Sequence, residues 1–172
     1  MSTRSRYRAW EPPALEERDG EGWYRPEFDP EREGRIAVGT DIIEIARIKR
    51  TLNDFGDRFL KRVYTERERE WYGSRIDELA ARFAAKEATS KALGTGIIGI
   101  RWREMEVLPN RRGKPVLILH GRAAERARQL GLTDFSVSLT HSRTDAMAFI
   151  VATGNGSRIS AEEALARGTG DS

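Results

Sequence analysis

A chain of 172 residues, 38% hydrophobic and 33% charged, is long enough for one compact domain with its own core and too short for two of ordinary size. Having no cysteine, it excludes disulfide frameworks, thiolate zinc sites and cysteine nucleophiles and fits a reducing, cytoplasmic setting, while no run approaches the roughly 18 apolar residues of a membrane span. The formal charge of +3 is segregated: residues 1–34 hold 6 Lys+Arg against 9 Asp+Glu, leaving 24 against 18 on a basic remainder that attracts polyanions of any kind.

Four of the six prolines, Pro12, Pro13, Pro26 and Pro30, fall among mixed charges without periodicity, so residues 1–34 read as an irregular extension. Its Trp10, Trp23 and Tyr24 suit either docking on the domain or a plain linker. Residues 35–153 read as the domain. Arg35 to Thr40 is a short strand ending at Gly39-Thr40-Asp41, and Ile45, Ile48, Leu52 and Phe55 give the next segment the three- and four-residue spacing of a helix with an inward apolar face. Thr65 and Glu68 make a capping box, after which Tyr72, Ile76, Leu79 and Phe83 continue one face toward a helix stopped at Leu93-Gly94. Trp102 to Leu108 and Val116 to Leu119 read as a hairpin turning through Asn110 to Gly113. An alanine-rich helix follows from Gly121 to Leu130, then strands Phe135 to Leu139 and Ala146 to Val151 around His141 to Asp145. Residues 154–172 read as a polar tail with at most one short helix started by Ser160 and Glu163. The sum is an α+β domain, an antiparallel sheet packed against long helices.

Several residues in this frame carry chemistry. Asp41 stands where a strand is expected to give way to a helix, which suits either a simple N-cap or a carboxylate projecting into a cleft. Glu87 and Lys91 are one helical turn apart and share a face with Phe83, while Ala84, Ala85 and Ala88 let a backbone or ligand come close. Mg²⁺ commonly takes only one or two protein carboxylates and fills its other positions with water and substrate phosphates. Asp41 and Glu87 supply that minimal set, and Lys86, Lys91 and the Gly94-Thr95-Gly96 loop would surround it with cations and approachable backbone. Only the combination points to a diphosphate, because no Walker or dinucleotide fingerprint is present. Lys114 and Pro115 in a hairpin turn would make a shelf for a nucleotide, and His141, with no Ser-His-Asp ordering to make a hydrolase, suits a phosphate contact.

These segments, in this order, resemble the small bacterial holo-acyl-carrier-protein synthases, a branch of the 4′-phosphopantetheinyl transferases. The resemblance runs from about Arg35 to Thr153. It rests on Val38 to Glu44, Arg58 to Thr65, Arg82 to Lys91 with Gly94 to Gly96, Gly113 to Pro115, and Val137 to His141.

The resemblance implies a homotrimer with active sites between subunits, and Mg²⁺-dependent transfer of 4′-phosphopantetheine from coenzyme A to a serine of an acyl carrier protein, releasing 3′,5′-ADP and supporting fatty acid biosynthesis. It assigns Asp41 and Glu87 to the metal and Lys91 to the reacting diphosphate. Lys114 and Pro115 fall beside the nucleotide, His141 near its 3′-phosphate, and Arg47, Lys49 and Arg50 on the helix that receives the acidic carrier. A metal-bound water or Glu87 accepts the serine proton; the sequence leaves both open. The rival from another class, a nucleic-acid-binding module, has charge in its favour but no helix-turn-helix, zinc-finger or aromatic RNA-binding signature.

Overall fold

The computed structural model describes residues 36–96 and 98–154. The expectations for the N-terminal extension, Arg35 and the Ser160/Glu163 helix start lie outside those residues.

Strand β1, Ile36–Glu44, alternates as a half-buried strand must: Ala37, Gly39 and Ile43 turn inward while Ile36, Val38 and Ile42 stay exposed. It is longer than its sequence suggests, because β5, Asp145–Gly154, pairs with it antiparallel through Asp41↔Ala148 to Glu44↔Asp145. Asp41 therefore sits within a strand and caps no helix. The helix that follows, α1 (Ile45–Phe55), has Glu44 at its N-cap without a side-chain bond, and Ile45 N donates instead to Thr144 O at 2.8 Å. Of the apolar face expected for α1, Ile48 is buried but Phe55 is exposed.

Helix α2 (Asp57–Val63) leads to α3 (Glu66–Tyr72), whose N-terminus carries the expected capping box. Thr65 Oγ1 accepts from Glu68 N at 3.2 Å, and Glu68 Oε2 accepts from Thr65 N at 2.8 Å. The face running from Tyr72 to Phe83 is split between two helices. Gly73 N and Arg75 N donate to Arg69 O and Tyr72 O, ending α3 before the chain starts α4, Ile76–Ala92. Asp77 and Glu78 in the first turn of α4 and Lys91 in its last complement the helix dipole. Gly94, at φ 68°, closes it in a conformation that costs other residues strain.

The segment expected to open as a strand begins with a 3₁₀ turn, Trp102–Glu104, in which Glu104 Oε2 accepts from Arg101 N and the Trp102 ring stacks on Phe83 at 4.7 Å. Strands β2 (Met105–Pro109) and β3 (Pro115–Leu119) then form a two-stranded hairpin. Helix α5 (Gly121–Gln129) precedes β4 (Leu132–His141). Sheet order is β1-β5-β4, all antiparallel, with β4 and β5 joined by a tight turn in which Ser142 Oγ accepts from Thr144 N and Asp145 N. The chain is α+β, as expected.

Helix α4 crosses the inner face of this sheet at very close range. A Cβ on Gly39 would overlap the carbonyl oxygen of Ala88 and lie 3.0 Å from Ala92 N. Ala80, Ala84, Ala85 and Ala88 are fully buried, and opposite them β5 turns in Ala146, Ala148 and Ala152. Small side chains on both sides bring the two backbones together. Gly39→Ala should therefore lower stability by at least the roughly 1–3 kcal/mol typical of an overpacked core, read as a lower melting temperature; an unchanged melting temperature would contradict this contact.

Candidate active site

Close packing of α4 on β1 has a chemical consequence one residue along. Asp41 is the inward-facing residue of β1 after Gly39, and Glu87 adjoins Ala88 on α4, so the contact between Gly39 and Ala88 brings two carboxylates to one place. Asp41 is only 18% exposed at its side chain, and its Oδ1 accepts from Lys91 Nζ at 2.8 Å. Lys91 Nζ also donates to Thr40 O at 2.8 Å, tying the last turn of α4 to the strand.

Glu87 is half-buried, and its carboxyl is pushed above its ordinary 4.5 by burial and by the negative charge of Asp41. Lys91 and Arg47 pull it the other way without cancelling the shift. Arg47 is exposed on α1 with Lys49 and Arg50, and Arg50 makes a 3.9 Å ion pair with Glu44. Glu87, Asp41, Lys91 and Arg47 thus form two acids flanked by two bases. Gly94 lies just past them, with Gly94 N donating to Lys91 O at 3.0 Å.

Among the described residues no group of three or more His, Asp or Glu side chains could hold a metal. A cation beside Asp41 and Glu87 would draw its remaining ligands from water or substrate. That fits Mg²⁺, which demands six oxygens but tolerates few from protein.

The other candidates stand elsewhere. His141 ends β4, 3.7 Å from Asp77 Oδ2 in the first turn of α4. Ten residues separate Asp77 from Glu87, roughly 15 Å at 1.5 Å of rise per residue. Lys114 ends the β2–β3 turn and Pro115 begins β3; in the turn Asn110 Oδ1 accepts from Arg112 N and Lys114 N and Gly113 takes φ 80°.

Lys86 does not join the phosphate-facing cations. It is fully buried on another side of α4, where Nζ donates to Glu68 Oε2 at 2.8 Å, Trp102 O at 3.1 Å and Met105 O at 2.5 Å. Successive helical residues point about 100° apart, so Lys86 and Glu87 cannot serve one target. Burial pushes the Lys86 ammonium down, and Glu68 opposes that.

The 4′-phosphopantetheinyl transferase superfamily matches residues 37–150. The chain is 48% identical over 128 residues to the holo-[acyl-carrier-protein] synthase of Herpetosiphon aurantiacus, spanning 69% of this chain and 99% of that protein. This chain belongs to the bacterial holo-acyl-carrier-protein synthases. The synthase of Helicobacter pylori, solved in complex with coenzyme A, superposes with a TM-score of 0.62 at 29% identity, over 67% of this chain and 99% of that one. The Bacillus anthracis synthase, solved in complex with coenzyme A (3′,5′-ADP), does so with a TM-score of 0.58 at 38% identity, covering 70% and 99%.

In this synthase-family chain, two features escaped sequence reasoning. Arg47 was assigned only to carrier binding, because nothing in the sequence shows that α1 lies beside α4. Glu68 was recognised as half of a capping box, although its second role, pairing with Lys86, shows only in the fold. The raised Glu87 carboxyl predicts a titration midpoint above 4.5 in the metal-free protein, read by carboxyl NMR. Asp41→Asn should lower that midpoint, because it removes the neighbouring charge and frees Lys91 to pair with Glu87; a midpoint unmoved by the substitution would separate the two acids.

Proposed function

We propose that this chain transfers the 4′-phosphopantetheine arm of coenzyme A to a serine of an acyl carrier protein, with Mg²⁺ held between Asp41 and Glu87. Family membership supports coenzyme A and the carrier as substrates. The observation that carries the site is a pair of carboxylates brought together by the packing of α4 on β1, with Glu87 raised by burial and by the charge of Asp41, at a spot flanked by Lys91 and Arg47.

The reaction joins the carrier serine oxygen to the phosphorus next to the pantetheine arm and breaks that phosphorus's bond to the bridging oxygen, releasing 3′,5′-ADP. Mg²⁺ bound there would draw charge from the diphosphate and ease departure of the nucleotide. The chain's own residues do the rest. Lys91 is half-exposed, so its ammonium can reach a phosphate bound beside Asp41 and balance the charge growing on the leaving group. The serine proton passes to Glu87, already displaced toward neutrality, or to water. Lys114 and Pro115 would flank the nucleotide and His141 its 3′-phosphate. Arg47, Lys49 and Arg50, exposed on α1 next to the site, would receive an acidic carrier and bring its serine to the diphosphate. Carriers of fatty acid biosynthesis are the expected physiological substrates.

A homotrimer with active sites between subunits accounts for two further observations. The outer face of the β1-β5-β4 sheet exposes Ile36, Val38 and Ile42 beside Met147 and Phe149, a row of apolar side chains that water penalises. Within one chain His141 also stands at the far end of α4 from Asp41 and Glu87, a separation that a neighbouring subunit would close. Among the described residues no helix is long and apolar enough to cross a membrane.

Incubation with coenzyme A, Mg²⁺ and an apo acyl carrier protein should add one phosphopantetheine group to the carrier's intact mass, and a chelator should prevent it. Asp41→Ala and Glu87→Ala should each slow transfer by about two orders of magnitude or more, the scale of losing several kcal/mol of charge stabilisation. Full activity in either variant would remove the metal assignment.

A further inference from the structure

The contact that unites Asp41 and Glu87 sets Gly39 against Ala88 and Ala92, on a helix whose Ala84 and Ala85 are also fully buried, and such a contact has a weakness. Small side chains permit close approach but offer no knobs to interlock, so they fix neither the rotation of α4 about its axis nor its sliding along β1. An axial slip of one residue would move Glu87 by about 1.5 Å, and a rotation of about 100° would exchange it for its neighbour. Directional bonds must set both.

Lys86 supplies three such bonds at one atom. Its ammonium has three protons, and Glu68 Oε2, Trp102 O and Met105 O accept from it. These acceptors come from α3 and from the 3₁₀ turn and strand that follow α4. The acceptors are themselves held: Glu68 also accepts from Thr65 N and Val107 N, and the Trp102 ring stacks on Phe83 of α4. Glu68 and Lys86 are both completely buried, so neither can exchange its partner for water.

We propose that Lys86, through Glu68 and the two carbonyls, is a positioning residue that sets the rotation and register of α4 and so aims Glu87 at the cation shared with Asp41. Lys86 touches no reacting atom, and the inference rests on the proposed cation site. A merely structural Lys86 would alter stability alone. A positioning Lys86 alters the geometry of metal ligation in protein that remains folded.

The test uses Mn²⁺ as the probe, its binding to the full chain with coenzyme A followed by electron paramagnetic resonance. Three variants are compared with the wild type: Asp41→Asn, Glu68→Gln, and the double variant Lys86→Met with Glu68→Gln. The double variant removes both buried charges together, which avoids leaving one of them unpaired. Circular dichroism and thermal melts report folding. Asp41→Asn should abolish specific Mn²⁺ binding. In the double variant, Mn²⁺ affinity should fall about tenfold or more and the spectrum should change while the protein remains folded; Glu68→Gln alone should shift both in the same direction by less. Wild-type Mn²⁺ binding in a folded double variant would overturn the positioning role, as would failure of both Glu68 variants to fold, which would make the pair an element of stability only. Unchanged binding in Asp41→Asn would instead overturn the cation site itself, so the two failures are distinguishable.

Discussion

The approach of α4 to β1 at Gly39 and Ala88 is the constraint on which the rest of this structure depends. A strand and a helix normally keep their backbones apart by the width of their side chains. Here the side chains between them are reduced to a hydrogen and a methyl group. The sequence supplies small residues on both surfaces, with Ala80, Ala84, Ala85 and Ala88 on the helix and Ala146, Ala148 and Ala152 on the neighbouring strand. An acid on the next inward position of the strand and an acid on the adjoining helical residue then meet without long side chains to place them. Short reach limits the number of conformations over which the site is spread.

Bringing two carboxylates together is unfavourable by itself, and the structure shows how that cost is contained. Asp41 is bound to Lys91, Arg47 acts on Glu87, and burial together with the residual repulsion from Asp41 pushes the Glu87 carboxyl up. A divalent cation held there would relieve the same repulsion more completely. The buried polar network on another side of α4 is the converse case. Glu68 and Lys86 are matched bond for bond, and breaking such a pair by removing one partner typically costs about 3–5 kcal/mol. Glu106 extends the network toward the surface. Burial pushes its carboxyl up, but bonds from the Thr65 hydroxyl and His120 and the nearby Arg67 outweigh that and hold it below its ordinary range.

How far this was legible in the sequence depends on the range of the interaction. The capping box at Thr65 and Glu68, the glycine stop after Leu93 and the pairing of Glu87 with Lys91 on one helix are local, and each was readable from spacing. In sequence Asp41 looks like a strand-to-helix junction because three further residues of β1 owe their conformation to pairing with β5, a partner about a hundred residues away. Trp102 looks like strand in sequence for a similar reason: its ring stacks on Phe83 and its carbonyl accepts from Lys86, and these tertiary contacts favour a 3₁₀ turn. Lys86 groups by sequence with the cations expected to face phosphate, because a lysine next to a site acid is usually exposed. Its partner, Glu68, lies eighteen residues upstream and was already accounted for as a cap. The resemblance to the synthase family pairs Asp41 with Glu87, and the fold brings these two carboxylates close enough for one to act on the other. It singles out Lys91, whereas the residue pattern alone does not distinguish this exposed lysine from the buried Lys86.

The account's central claim is that Asp41 and Glu87 together hold the catalytic cation, and its location is the most direct test. Crystals grown with Mn²⁺ and coenzyme A should show an anomalous-scattering peak bonded to a carboxylate oxygen of each residue and to the diphosphate. A peak coordinated by neither Asp41 nor Glu87, with coenzyme A bound, would contradict the account.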